Sequence, residues 1–470
     1  MKDFTKGPIL KALVSLSLPI VLTNMLHTAY QLVDTFWVGR LGAEAVAAVS
    51  LSFPIIFLLI TLGGGFTIAG TILVAQYKGR KDDAQVEHIT AQTVVLMLIV
   101  SFIIGATGIL IAEPIMQLIG AEADVLPQAV SYLTISFYGI PFMFGFFIFQ
   151  SLMRGIGEVY LPMKIVLVTV ILNLGLDPLF IMGWGPIPAY GVGGAAIATI
   201  ITQGIATLIG YALLFRGNHG IKLTLKKFKF DGPLIKKMFG LGIPSSIEGS
   251  MNALGLTIMS FLVATFGTTI VAAYGIGIRI LSFIIIPAFG LSMATSTLVG
   301  QNIGAEKPKR AEKIAKKSAV IGFGTIVALS IVIFFAADYL AQAFLDGEQS
   351  VINEAALFIR YLCFCFGFLG FQLILNGAYS GAGNTRVSMI FSIISVWVFQ
   401  FPIAYILSKH TDLGARGLWL AYPISSFCNA SISLIYFRMG RWKNKRIIPT
   451  KQEKMEQAVT KEAKIEEGLQ

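Results

Sequence analysis

Apolar stretches long enough to cross a bilayer recur twelve times along this chain, and no other feature restricts its fold as strongly. They fall near 14–38, 46–76, 92–112, 126–150, 163–183, 193–215, 241–265, 270–299, 318–337, 355–378, 387–408 and 416–437. Hydrocarbon offers no partner to an exposed backbone N–H or C=O, so spans of this length must be helices whose hydrogen bonds close internally. Several are longer than the bilayer is thick and must tilt or run on into water. Composition agrees. Hydrophobic residues make up 55% of the chain and charged residues 13%, where a soluble domain carries about 25% charged. The mean hydropathy is +0.77. A soluble domain, a disordered chain, a collagen and a disulfide scaffold are all excluded. The N-terminus (Lys2, Lys6, Lys11, then apolar) resembles a signal peptide, but no small-residue cleavage site follows and the segment continues as a full span. The expected fold class is an all-α polytopic membrane protein.

Charge placement orients it. Lys78, Arg80 and Lys81 follow span 2. Arg216, Lys222, Lys226, Lys227, Lys229, Lys236 and Lys237 separate spans 6 and 7. Lys307, Lys309, Arg310, Lys313, Lys316 and Lys317 follow span 8, and Arg438, Arg441, Lys443, Lys445 and Arg446 follow span 12. The alternate breaks carry Glu113, Glu122, Asp124, Asp338, Asp346 and Glu348. The positive-inside rule then makes the even-numbered breaks and both termini cytoplasmic, in a cell membrane. The net charge of +11 is a topology signal, and bases spread over membrane-flanking loops give no nucleic-acid surface. Cys363, Cys365 and Cys428 lie inside spans and read as packing residues. The region 441–470, rich in Lys, Glu and Gln from about 443, reads as a solvated, disordered cytoplasmic tail.

The chain is also duplicated. A shift of 225 places Pro19 on Pro244, Gly42 on Gly267, Val46-Ala47-Ala48 on Val271-Ala272-Ala273, Leu73-Val74-Ala75-Gln76 on Leu298-Val299-Gly300-Gln301 and Gly79 on Gly304. At a shift of 226 Gly155 and Gly157 meet Gly381 and Gly383, and at 223 Gly191, Gly194 and Ala198 meet Gly414, Gly417 and Ala421. Each half holds six spans, an even number, so the halves are parallel repeats related by an axis along the membrane normal. The expected organisation is an N-terminal lobe 1–215, a basic linker 216–240, a C-terminal lobe 241–440 and the tail. Transporters of this kind bind solute between the halves and rock one against the other; a channel is the alternative that duplication alone leaves open. Two fused halves make a monomer sufficient. Gln76 and Gln301, at equivalent helix ends, read as capping or packing residues.

Charges inside a bilayer need a reason, because a carboxylate at its centre costs about 2.5–3.5 kcal/mol. Asp34 lies in span 1 and Asp177 in span 5. Asn24, His27, Gln31 and Asp34 recur at i, i+3, i+7 and i+10, one helix face that reads as a polar stripe on a cavity or a neighbouring helix. Asn173 and Asp177 are four apart, again one face. Pro178 has no N–H for residue 174, which frees a carbonyl. Carboxylate, amide and carbonyl oxygens suit a hard cation. They equally suit a proton, which removes the charge that the bilayer penalises. The remaining alternative is a polar cluster that only joins helices. The repeat maps Asp34 onto Met259 and Asp177 near Phe401-Pro402-Ile403, so this chemistry belongs to the N-terminal half alone. Glu248 and Arg279 are further charges at depth, each open to an interfacial or a cavity role. His27, on the same face as Asp34, reads as a satisfied polar residue of the cavity, with a proton role as the alternative.

Five motifs lie in order along roughly 8–440: Val33-Asp34-Thr35-Phe36-Trp37-Val38-Gly39-Arg40-Leu41-Gly42, Arg154-Gly155-Ile156-Gly157, Asn173-Leu174-Gly175-Leu176-Asp177-Pro178, Gly193-Gly194-Ala195-Ala196-Ile197-Ala198-Thr199 and Gly300-Gln301-Asn302-Ile303-Gly304-Ala305. On these residues the chain resembles the multidrug and toxic compound extrusion (MATE) transporters, and most of all the prokaryotic branch named after the DNA-damage-inducible protein F. The resemblance implies a V-shaped pair of six-helix bundles that exports cationic or amphiphilic compounds in exchange for Na⁺ or H⁺, with no cofactor. It implies an ion or proton site at Asp34, Asn173, Asp177 and, for the span 6 threonine, Thr199. It departs from another branch that has an acid in span 10, where this chain reads Gly370-Phe371-Gln372-Leu373-Ile374-Leu375-Asn376. A C-terminal cation site is therefore not expected. The rivals are a lipid-linked oligosaccharide flippase of the same superfamily, against which twelve spans and membrane acids argue, a channel, and a membrane enzyme, for which no metal triad, nucleophile motif or phosphate loop appears.

Overall fold

The structure, a computed structural model, describes residues 3–226, 228–344, 348–444 and 447–448. Lys227, Asp346, Lys445, Arg446 and the tail from 449 onward lie outside them. Twelve helices are long and apolar enough to span a membrane: α1 Ile9–Gly39, α2 Ala43–Arg80, α3 Asp83–Ile119, α4 Leu126–Gly155, α5 Tyr160–Met182, α6 Val192–Arg216, α7 Gly232–Ala264, α8 Thr268–Gly304, α9 Pro308–Gln342, α10 Gln349–Gly381, α11 Thr385–Lys409 and α12 Ala415–Met439. Helix α11 contains a π-helical turn at Ile394–Gln400. Most helices overrun the sequence-based spans at the end that carries the basic residues. Helix α7 starts at Gly232, nine residues before its apolar run, because the Asp231 carboxylate accepts the Leu234 N–H (3.0 Å) and Pro233 occupies the first turn. Residues 232–240 of the expected linker are therefore helix.

The two halves pack alike. Within the first, α1 meets α5, α2 and α3 meet α4, and α6 meets α4 and α5; within the second, α7 meets α11, α8 and α9 meet α10, and α12 meets α10 and α11. Backbone conformations repeat as well. Gly191 (φ 57°) and Gly414 (φ 53°) cap α6 and α12 in a region that excludes a side chain, which explains why glycine recurs at that register. Exposed apolar residues at repeat-related positions, such as Leu110 and Phe335, fit contact with lipid.

The lobes touch through α1 with α8, α2 with α7, and α2 with α8. Three of these contacts come as small-residue crossings. Gly65 admits Gly242 and Ser246, its repeat mate Gly290 admits Val21, and Gly79 and Gly304 lie against the Gln301 and Gln76 backbones. Ser246 also donates to Leu62 O across the lobes (2.7 Å). Among the described residues no hydrogen bond joins the lobes in the half of the molecule away from the basic end. The halves thus meet at the basic end and part towards the other, a V.

The expected disordered tail does not begin at 441. Arg441–Asn444 forms a 3₁₀ turn, and Trp442 is fully buried. Its indole stacks on Phe437 (5.3 Å) and donates to Phe437 O (3.2 Å). An indole repays burial when its N–H finds a partner, and a count of charged neighbours does not register that.

Asp231 gives a first testable result. The Leu234 N–H above all holds its carboxyl below the usual carboxylate range; burial opposes this, and His88 at 3.0 Å adds a lesser lowering. The folded carboxyl therefore ionises at lower pH than the unfolded one, so its contribution is present at neutral pH and fades as the pH falls through the folded value. Asp231→Ala is expected to lower stability by about 1 kcal/mol at pH 7, with solvent screening already limiting the pair with His88. Thermal unfolding in detergent should show that gap, and the gap should close on acidification.

Candidate functional site

Helices α1, α5 and α6 of the N-terminal half bring four of the expected residues together. Asn173 and Asp177, one turn apart on α5, are fully buried. The Asn173 Nδ2 donates to Asp177 Oδ1 (2.9 Å). From α6, the Thr199 hydroxyl donates to Asp34 Oδ2 on α1 (3.4 Å). Asp34 is half-buried and lies within interaction range of both Asn173 and Asp177. One oxygen of each of these three residues, Asp34 Oδ1, Asn173 Oδ1 and Asp177 Oδ2, is buried without a hydrogen-bond donor.

Orphaned oxygens are costly in a low dielectric, and two carboxylates held together also repel. Both penalties vanish if a monovalent cation, or a proton, sits among them. The donors are hard oxygens with a net charge of at most two negatives, as an alkali cation or a proton prefers. Among the described residues no group of three or more His, Cys, Asp and Glu side chains comes together.

The stripe on α1 is only partly as the spacing suggests. His27 faces Gln150 of α4 (3.4 Å between Nε2 atoms) and the edge of Phe147. Asn24 is half-buried and Gln31 is exposed, and neither joins the Asp34 cluster. The inward place taken by Gln31 in the helical pattern belongs to its neighbour Tyr30, which is buried and shares a 2.8 Å hydrogen bond with Thr202 of α6. Positions 27, 30 and 34 are as well spaced for one face as 27, 31 and 34. Amphipathic Tyr30 gave no polar signal of its own. The tyrosine and Thr202 sit one turn below Asp34 and Thr199 and tie the same two helices.

In the other half, Glu248 of α7 belongs to a separate polar cluster. Its Oε1 accepts from Ser392 of α11 (2.9 Å) and Asn376 of α10 (3.4 Å). Arg279 is exposed on α8. Cys363, Cys365 and Cys428 are free thiols. The structure therefore gathers Asp34, Asn173, Asp177 and Thr199, and leaves Asn24, His27, Gln31, Glu248 and Arg279 outside that group.

The MatE family model matches the chain twice, over 19–179 and 244–406, with starts separated by the repeat shift of 225. A probable multidrug resistance protein, YpnP of Bacillus subtilis, is 30% identical over 96% of this chain and 99% of its own length. The probable multidrug resistance protein NorM of Thermotoga maritima is 26% identical over 93% of this chain and 94% of its own. An outward-facing multidrug resistance MATE transporter of the MOP superfamily superimposes with a TM-score of 0.88 at 26% identity, covering 93% of this chain and 98% of that one. With a duplicated family match, twelve spanning helices and a close structural likeness, the chain belongs to the MatE family of transporters.

Proposed function

We propose that this protein is a secondary antiporter that exports small organic cations or amphiphiles across the cell membrane in exchange for Na⁺ or H⁺. The observation that carries the reading is the trio of donor-free buried oxygens on Asp34, Asn173 and Asp177, beside the Thr199 hydroxyl. The multidrug resistance names of the relatives support the solute class. The basic end is the cytoplasmic one, by the charge rule, and both termini lie there. The transported solute and the ion are cargo, no cofactor is needed, and one chain in the lipid bilayer suffices.

Coupling then follows from linkage. A ligand shifts an equilibrium only by its differential affinity for the two states. With the V open to the outside, Na⁺ or H⁺ neutralises the Asp34–Asp177 pair and lets its helices draw together. That favours the arrangement open to the cytoplasm, where the ion leaves and solute enters. Reciprocity requires solute and ion to favour different states or to compete for one cavity.

The test is dye transport by purified protein in liposomes under an imposed Na⁺ or pH gradient. Movement of an ethidium-type dye that follows one gradient names the ion. No movement under either gradient, with transfer of a lipid-linked oligosaccharide instead, would replace this reading by a flippase. Thr199→Val is a graded probe. It removes one 3.4 Å hydrogen bond and one neutral ligand oxygen, so the apparent affinity for the coupling ion should fall by about 3- to 10-fold, measured as the ion concentration for half-maximal efflux.

A further inference from the structure

Described segments near both ends of the chain, 3–7 at one and 441–444 with 447–448 at the other, cross the lobe boundary at the basic end, each with an apolar side chain over a repeat-related glycine. At the N-terminal end Asp3 Oδ1 accepts Thr5 N–H and the Thr5 hydroxyl (2.9 and 2.6 Å), which sets a turn. The ring of Phe4 is buried against Gly157, at the α4–α5 corner of the first lobe. The backbone around it is held by the second lobe. Asn302 donates to Phe4 O (3.3 Å), Lys307 to Thr5 O (3.0 Å), and Arg310 to Lys6 O and Gly7 O (2.9 and 2.8 Å).

At the C-terminal end the pattern is reversed. Asn384 of the second lobe donates to Trp442 O (3.1 Å). Just beyond, Ile447 fills the space over Gly383, at the α10–α11 corner, and packs against the core of the first lobe. Gly157 (φ 85°) and Gly383 (φ 91°) are repeat mates in the left-handed region. Each corner is a notch where a side chain is excluded twice, by backbone strain and by the apolar plug from a chain end.

Beside each notch a glutamine reaches across. Gln301 of α8 donates to Gly155 O at the end of α4 (3.0 Å), and Gln76 of α2 donates to Gly381 O at the end of α10 (3.1 Å). Carbonyls at a helix end lack an intrahelical donor, and here each receives one from the opposite lobe. These glutamines do not cap their own helices.

We propose that Phe4 and Ile447 are a matched pair of latches that hold the basic end shut, and that their withdrawal is an obligatory step when this end opens. Phe4 is seated on one lobe while its backbone is bound to the other, so separation must break one set of contacts. Ile447 spans the boundary by its side chain alone, which lies over Gly383 of the second lobe and packs against the core of the first, so separation must break one of those two contacts. The proposal rests on the two-state transporter reading above.

The test uses the full-length protein in lipid, with Cys363, Cys365 and Cys428 replaced and spin labels at the exposed positions Lys164 on α5 and Lys313 on α9, both near the basic end. Pulsed electron paramagnetic resonance distances are read with and without the coupling ion. Combined Phe4→Ala and Ile447→Ala is expected to raise the ratio of long to short distances by about tenfold or more, with Phe4→Leu and Ile447→Leu restoring the parent ratio. An unchanged ratio in the double alanine variant, in a protein whose parent still responds to the ion, overturns the latch and leaves the transporter reading standing. A single distance in the parent under every ion condition removes the two-state reading, and the latch with it.

Discussion

Asp34→Asn is expected to abolish ion-coupled efflux while leaving the fold intact: in proteoliposomes, dye movement driven by the coupling-ion gradient should fall by about 100-fold or more, equivalent to roughly 2.7 kcal/mol of lost coupling. The side chain keeps its shape, and Thr199 can still reach its oxygen. What would disappear is the charge whose neutralisation, in the proposed mechanism, discriminates between the two states. With Asp177 left as a single carboxylate, bonded on one side to Asn173, repulsion no longer changes when the ion arrives. An Asp34→Asn protein that still follows the gradient would return the four residues to the role of a helix-joining polar cluster. Thermal stability measured in parallel separates the two cases. Loss of coupling without loss of stability is the expected pair of results.

The second large effect is expected at Gly304. A methyl group there would overlap the Gln76 carbonyl, and one on Gly79 would overlap the Gln301 carbonyl. Backbone cannot swing aside as a flexible side chain can, and overpacking of a fixed contact costs about 1–3 kcal/mol or more. The contact lies between lobes, so the least costly relief is to part them at the basic end. Gly304→Ala should therefore retain helix content by circular dichroism but make thiol probes at basic-end positions of α2 and α8 react about tenfold faster, and should depress net efflux. Unchanged thiol reactivity with a lowered melting temperature would mean that the crossing only holds the fold together.

Much of this molecule is legible along the chain. Span number, the 225-residue duplication and the solitary acids all depend on local composition and register, which sequence states directly. The grouping of Asn173 with Asp177 is equally local, since a four-residue spacing fixes one helix face. Helix starts were less visible: α7 begins where an Asp231 cap permits it, well outside its apolar run. The boundary of the tail at 441 was set too early, because Trp442 finds both a stacking partner and an acceptor in Phe437, which composition does not reveal.

What the sequence alone determined is that this chain spans a membrane twelve times in two parallel halves and confines its paired acids to the first. Each of those statements is a one-dimensional sum or spacing. Only the tertiary structure decided that Tyr30 rather than Gln31 turns inward, and that Gln76, Gln301, Phe4 and Ile447 bridge the lobes. Helix periodicity fixes which residues share a face, but the rotation of that face is set by packing against neighbouring helices. Contacts between lobes depend on two surfaces made by distant segments, so they exist only once both halves have folded and met.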